Sequence, residues 1–452
     1  MNDQKVRSRF QNPDERIHNF LEVEYGYNKE EALEEASRCL QCVNPRCMKG
    51  CPVGIHIPEF IKALKEDRIQ DAYNVILKSS SLPAICGRVC PQEKQCEAMC
   101  VKGFKGDAIA IGSLERYVAD EALKNGFLNT HKEPSNGRRV AIVGSGPSGL
   151  TCAGELARSG YEVVIYEVLQ KAGGVLTYGI PEFRLPKRIV EQEVENLKKL
   201  GVTIKTDVLI GNTITLDELQ KEYDRVFIGS GAGLPKFMGI EGEGANQVFS
   251  ANEILTRINL MGAYQEDAAT PIKRCKKAYV IGGGNVAMDA VRSLKRLGID
   301  AHLMYRRSEE ELPARKMEVE HAKEEGIVFD LLTNPRKILT DSLNNVIGME
   351  VVSMELGEAG EDGRRSVSEK KDSIHTIPCD MVVMALGTSP NHQALKESDI
   401  SLSDRGLIIV EDTKTSLDNV YAGGDCVTGA ATVILAMEAG KKAALEIMKS
   451  FS

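Results

Sequence analysis

At 452 residues the chain has room for about three domains, and its 42% apolar content is that of an ordinary globular protein. No run approaches the roughly 18 apolar residues of a membrane span, and 57 Lys and Arg against 65 Asp and Glu give a net charge of −8, so neither a membrane nor a nucleic-acid role is expected. The opening residues 1–10 lack the apolar segment of a signal peptide, which points to a cytoplasmic protein.

Residues 1–135 carry the cysteines. Stretches 16–28 and 29–40 have helical patterns, the second rich in Glu, Ala and Leu. Of twelve cysteines, eight fall between Cys39 and Cys100, in two runs: Cys39-x2-Cys42-x4-Cys47-x3-Cys51-Pro and Cys86-x3-Cys90-x5-Cys96-x3-Cys100. Between them, residues 57–78 are amphipathic and read as a helix pair. Dense cysteines in a cytoplasmic chain point to metal ligands. The Cys-x3-Cys-Pro ending is that of the bacterial ferredoxin run, and thiolates suit soft iron–sulfur sites. Two [4Fe–4S] clusters are the first reading; zinc and disulfides are the alternatives.

Residues 136–265 open on Val140-Ala-Ile-Val-Gly144-Ser-Gly146-Pro-Ser-Gly149, an apolar strand meeting a G-x-G-x-x-G turn that starts a helix. Gly144 permits the tight turn, Gly146 the approach of a pyrophosphate, and Gly149 close helix–strand packing. The helix N-terminus offers free N–H groups to phosphate. Glu167, at the end of the next apolar run, is placed to accept from ribose hydroxyls. A glycine-punctuated loop follows, with Gly174 in it, then a helical pattern over residues 189–200. Val226-Phe-Ile-Gly229-Ser-Gly231 is a strand ending in small residues that suit a close backbone approach to cofactor.

Residues 266–378 repeat the theme in Ala278-Tyr-Val-Ile-Gly282-Gly-Gly284-Asn-Val-Ala287, with Ala287 at the third glycine position. The next strand ends differently: Arg306 and Arg307 follow Tyr305, and no acid does. Arginine there favours the 2′-phosphate of NADPH; the bland alternative is that one arginine only pairs with Glu309, Glu310 or Glu311. Residues 357–365 read as an exposed hairpin loop. Residues 379–452 are expected to return to the first domain. There Met381-Val-Val-Met-Ala-Leu-Gly387 and Val420-Tyr-Ala-Gly-Gly424-Asp425 are strands with small-residue turns, and a helix follows over 433–448. Asp425 is placed to hold cofactor hydroxyls, or only to cap a helix.

The implied fold is α/β: an N-terminal helical iron–sulfur domain, then two Rossmann-like dinucleotide-binding domains, with the FAD domain split by an inserted NADPH domain. Cys152, Cys275, Cys379 and Cys426 are not paired at disulfide-reductase spacing and read as buried thiols. Electrons therefore leave through the N-terminal clusters rather than through a redox disulfide, and the bound cofactors carry the chemistry.

Over nearly its whole length the chain resembles the small (beta) subunit family of NADPH-dependent glutamate synthase. That family includes the large subunit of NADH-dependent ferredoxin:NADP oxidoreductase and the N-terminal half of dihydropyrimidine dehydrogenase. The resemblance is carried by the first cysteine run, by Gly174-Val-Leu-Thr-Tyr-Gly-Ile-Pro-Glu-Phe-Arg-Leu-Pro186, by Tyr305-Arg-Arg and by Ala422-Gly-Gly-Asp-Cys. It implies one cluster on Cys39, Cys42, Cys47 and Cys100, and another on Cys51, Cys90 and Cys96 with Glu115 as fourth ligand. Cys86 would then not bind; the alternative has Cys86 binding and Glu115 solvated. The resemblance also implies an electron-transfer subunit, since the chain starts Met1-Asn2 and has no room for the glutaminase or FMN barrel of a synthase. The partner would be that glutaminase/FMN synthase subunit. In the bifurcating alternative it would be a small flavin and iron–sulfur subunit, with ferredoxin as a further partner. A non-catalytic scaffold is the third reading, and the intact glycines, Glu167, Arg306 and Asp425 count against it.

Overall fold

The computed structural model describes residues 4–127, 132–270, 272, 275–360 and 363–451. The Met1-Asn2 start and residues 361–362 of the expected 357–365 loop lie outside them.

The cysteine region is helical. Helix Lys29–Ser37 begins on a capping box, in which the Asn28 side chain accepts from the Glu31 N–H and the Glu31 carboxylate accepts from the Asn28 N–H. The 57–78 stretch forms the expected pair, Ile57–Lys65 and Ile69–Leu77, separated at Asp67, whose φ is +57°. Helices Pro83–Val89 and Ile111–Lys124 complete the bundle. The 16–28 stretch differs from expectation: only Pro13–Arg16 is helical. Beyond it the chain runs extended, with Phe10 bridged to Glu24 and the Val23 N–H donating to the Phe183 carbonyl. Arg16 is drawn into a buried carboxylate, Glu325, at 2.8 Å, and this long-range pairing overrides a local helical pattern.

Two five-stranded parallel sheets follow. The first has the order Val420–Ala422, Arg225–Ile228, Arg139–Val143, Glu162–Tyr166, Thr203–Lys205. The second has the order Val248–Ser250, Met381–Met384, Lys277–Ile281, Asp300–Tyr305, Val328–Leu331. Near-continuous apolar strands such as Val140-Ala-Ile-Val are what burial on both faces demands. The strands Val248–Ser250 and Met381–Met384 hydrogen-bond into the second sheet, although their sequence positions had put them with the first domain. Short apolar runs do not encode which sheet they join, because pairing is settled by contacts far away in sequence.

An antiparallel meander of Thr333–Thr340, Val346–Ala359, Arg365–Glu369 and His375–Pro378 follows the second sheet, and its hairpin falls where the exposed loop was expected. The two units are joined by a short antiparallel pair, Leu234–Pro235 with Thr388–Ser389. Among the described residues no helix is long and apolar enough to cross a membrane.

Candidate functional site

In both parallel sheets strand order reverses beside the first glycine-bearing strand, and ligands of such sheets bind in the crevice at that switch point. In the first, Gly144 has φ +95°, and a Cβ on Gly149 would stand 2.0 Å from the Gly144 carbonyl oxygen. Gly146 caps helix Pro147–Arg158, and a Cβ there would meet only open space, the side from which a phosphate approaches. Gly174 (φ +54°) leans over Gly146, and Gly231 (φ +68°) faces open space at the end of the neighbouring strand. Gly424 (φ +81°) packs against Ser148, which brings Asp425 to the same crevice. Burial pushes the Asp425 carboxyl up to about 6, against a backbone donor from Ala431.

Glu167 is buried and turned toward the loop itself. It accepts from the Ser145 N–H (2.9 Å), the Ser145 hydroxyl (2.5 Å) and the Leu169 N–H (2.9 Å). A carboxylate has about four acceptor sites, and three of those of Glu167 are filled in organising the glycine loop. Sequence reasoning missed Ser145, which also accepts from the Gly173 N–H and so ties the two glycine loops together.

The second crevice repeats the geometry. Gly282 has φ +142°, and a Cβ there would be 2.3 Å from the Ala385 carbonyl; Gly284 caps helix Asn285–Arg296 and faces open space. Ala287 is buried in that helix, and Gly387 (φ +90°) closes the adjacent strand. Among the described residues neither Arg306 nor Arg307 pairs with Glu309–Glu311. Lys323 takes Glu309, and Arg365 takes Glu310 and Glu311. Arg307 is anchored on the Arg365 carbonyl at 3.0 Å, while Arg306 is exposed and has no ion-pair partner among the described residues.

Seven of the eight N-terminal cysteines separate into two groups, with Cys86 beside the second. Cys39, Cys42, Cys47 and Cys100 line one surface cavity with Leu40, Ile57 and Ile109. Cys51, Cys90 and Cys96 lie inside, close enough to Glu115 that its charge opposes ionisation of all three thiols. Burial pushes Cys47 and Cys51 up to about 11. Thiols held protonated this way lose their protons when iron binds. None of the twelve cysteines is paired in a disulfide in the structure. Among the described residues no three His, Cys, Asp or Glu side chains converge on a point as they would around one metal ion. A cubane offers a separate iron to each ligand and needs no such convergence.

Both candidates for the eighth ligand border the inner trio. Glu115 is buried, and its Oε1 has no hydrogen-bond partner. Cys86 is already engaged: its Sγ donates to Met437 Sδ at 3.4 Å, lies 3.8 Å from the Ser80 hydroxyl and is hydrogen-bonded to Cys90. An orphaned buried carboxylate oxygen beside three thiols fits a missing iron better than a saturated thiol does.

Residues 16–127 match the family model described as dihydropyrimidine dehydrogenase domain II, 4Fe-4S cluster, and residues 138–440 match pyridine nucleotide-disulphide oxidoreductase. The glutamate synthase [NADPH] small chain of Escherichia coli is 36% identical over 441 residues, 95% of this chain and 93% of that one. The NADP(+)-dependent formate dehydrogenase subunit beta of Moorella thermoacetica is 37% identical, across 90% of this chain and 60% of its own length. Among solved structures, Mycobacterium tuberculosis FprA in complex with NADPH has a TM-score of 0.59 at 19% identity, covering 71% of this chain and 85% of that one, and shares the fold. The chain therefore belongs to the glutamate synthase [NADPH] small-chain family, an oxidoreductase with a 4Fe–4S domain ahead of a pyridine-nucleotide oxidoreductase domain.

Proposed function

We propose that the chain binds FAD in the first crevice, NADPH in the second and two [4Fe–4S] clusters on Cys39, Cys42, Cys47, Cys100 and on Cys51, Cys90, Cys96, Glu115. The two crevices would make an FAD unit split by an inserted NADPH unit spanning about residues 248–384, adjusted to the observed strand pairing. Bound there, the flavin would take hydride from the nicotinamide and part with single electrons to the clusters. The chain's own residues supply position. Gly144, Gly146 and Gly149 seat one pyrophosphate, Gly282, Gly284 and Ala287 the other, and Gly231, Gly387 and Gly424 keep the backbone clear. Glu167 and Asp425 accept from cofactor hydroxyls, and Arg306, next to the anchored Arg307, donates to the 2′-phosphate.

The observation that carries this reading is the order of the two cysteine groups. The inner trio sits on the seam with the first sheet, where Met437 touches Cys86, while the outer four line a surface cavity. Electrons from the first crevice thus reach the inner group first and the surface last. At that surface Leu40, Val43 and Phe104 are exposed, and Arg46 lies over the Phe104 ring at 5.4 Å. Such a face suits a partner subunit, and the relatives' own names, small chain and subunit beta, support one. Free thiols of this number suit a reducing, cytoplasmic setting.

The test is anaerobic purification of the native complex. A yellow-brown protein bleached by NADPH, with flavin and iron both present, supports the reading; a colourless one removes it. Mass spectrometry of the co-purifying subunit then separates glutamate synthase, with its glutaminase partner, from the bifurcating transhydrogenase, with a small flavin and iron–sulfur partner. Two variants test the crevices. Gly149→Ala drives a Cβ into the Gly144 carbonyl and is expected to yield protein without flavin, read from its visible spectrum. Arg306→Ala removes a charge-assisted contact of about 1.5–3 kcal/mol. It should raise the KM for NADPH roughly 10- to 100-fold and leave that for NADH unchanged.

A further inference from the structure

The inner cysteine group meets the first dinucleotide unit along one seam, and two cations from that unit cross it. Lys441, on helix Val433–Lys449, donates from Nζ to the carbonyls of Val53 (2.8 Å) and Ser79 (3.0 Å). Val53 lies two residues beyond Cys51, and Ser79 begins the serine turn whose Ser80 hydroxyl neighbours Cys86. Arg158, on helix Pro147–Arg158, donates to Ser81 Oγ at 2.9 Å and is neutralised by Glu155 at 2.6 Å. Gly154 lets that helix close on the turn, since a Cβ there would stand 2.9 Å from Ser81 Oγ. Among the described residues the hydrogen bonds of Lys441 go to neutral carbonyls, with Glu155 near it as a charge rather than as a hydrogen-bond partner.

We propose that Lys441 is a positioning residue for electron passage between the first crevice and the inner cysteine group: it fixes the backbone beyond Cys51 and stands as a positive charge beside that group. The inference rests on the two-cluster reading above. Reduction brings the inner cluster one electron, drawn from the flavin that NADPH reduces, and so one negative charge. A cation at the seam, where the effective dielectric is lower than in water, stabilises that added charge. Lys441 therefore raises the potential of the inner cluster and leaves that of the outer cluster, on the far surface, as it is.

The experiment is an anaerobic, spectroscopically monitored redox titration of the full, cluster-loaded protein, with iron analysis, on the parent, K441Q and K441R. K441Q keeps N–H donors for the two carbonyls and loses the charge; K441R keeps both. K441Q is expected to hold its full iron and to shift one cluster midpoint to a more negative value, the other staying in place, while K441R matches the parent. Two cluster signals that K441Q leaves unmoved, or a K441R that shifts as far as K441Q, overturn the inference while the two-cluster reading stands. A parent protein with a single cluster signal overturns that reading, and the inference with it. Should K441Q lose iron, K441R decides: parent-like midpoints with full iron support a requirement for the charge, and iron loss there too refutes it.

Discussion

Glu115→Ala should cost the protein about half of its iron, and Cys86→Ala almost none. Glu115 projects from helix Ile111–Lys124 into a fully enclosed position, with Oε1 unpartnered. Burial first, and the neighbouring Glu193 second, push its carboxyl up to about 8. An acid in such a place is a net cost unless something positive completes it. Three cysteine thiols, Cys51, Cys90 and Cys96, neighbour it, and a cubane would offer each of the four its own iron. Cys86 lacks that need, because its sulfur is engaged by Met437, Ser80 and Cys90. Glu115→Gln keeps a coordinating oxygen in the same volume and should keep the cluster, at a changed potential. Iron per flavin in the three anaerobically purified variants is the measurement. Full iron in Glu115→Ala together with iron loss in Cys86→Ala would reverse the assignment.

Much of this site is written in local sequence because its parts are local. Gly144 and Gly149 must be glycine for reasons contained within six residues, a positive φ and a 2.0 Å approach, so spacing alone reveals them. The helix pair at 57–78 is legible from its apolar period in the same way. What keeps Glu309, Glu310 and Glu311 from Arg306 is not local. That Arg365 and Lys323 would absorb Glu309, Glu310 and Glu311, leaving Arg306 exposed, depends on a meander strand more than fifty residues on and on a separate helix. Ser145 was invisible for another reason: x positions of a G-x-G-x-x-G turn carry no signal until Glu167 and Gly173 are seen beside them. The division between sheets at Val248–Ser250 and Met381–Met384 fails on the same ground, since neither strand's own residues name its neighbour. The helix expected at 16–28 was lost to Arg16, whose carboxylate partner is some three hundred residues away.

That arginine belongs to the cluster for which the second large effect is expected: Arg292→Met should lower stability by about 3–5 kcal/mol. Arg292 is fully buried on helix Asn285–Arg296 and binds Glu325 through Nε (3.0 Å) and Nη2 (2.7 Å), and Glu318 through Nη1. Glu325 also takes Arg16 and Arg296, and Glu318 takes Arg184, which in turn grips Asp289. The Phe183 ring lies under Arg292 and Arg296, at 4.8 and 3.9 Å. One charge cluster thus fastens three pieces together: the N-terminal segment, the 174–186 loop of the first unit and two helices of the second. Removing Arg292 leaves carboxylates that are buried and under-neutralised, which is why the loss exceeds that of a surface pair. The urea midpoint of the cofactor-loaded protein measures it, and a loss below about 1 kcal/mol would show that Arg16 and Arg296 suffice. The pH dependence has a definite sign. Burial opposes the Glu318 charge, but Arg184 and Arg292 outweigh it and hold the carboxyl at about 2, against 4.5 ordinarily. Between those values the unfolded chain binds the proton and the native one does not, so this stability is present above 4.5 and is lost as pH falls toward 2. Burial and then Arg292 hold His321 down at about 4 against 6.5, which adds a loss of the same sign over that higher interval. Asp289, raised by burial in spite of Arg184, works the other way on a single group. Taken as the difference between the two proteins, in which titrations away from the cluster cancel, the stability gap between the parent and Arg292→Met should therefore narrow as pH falls from about 6.5 toward 2, because Arg292 no longer holds His321 and Glu318 low in the variant.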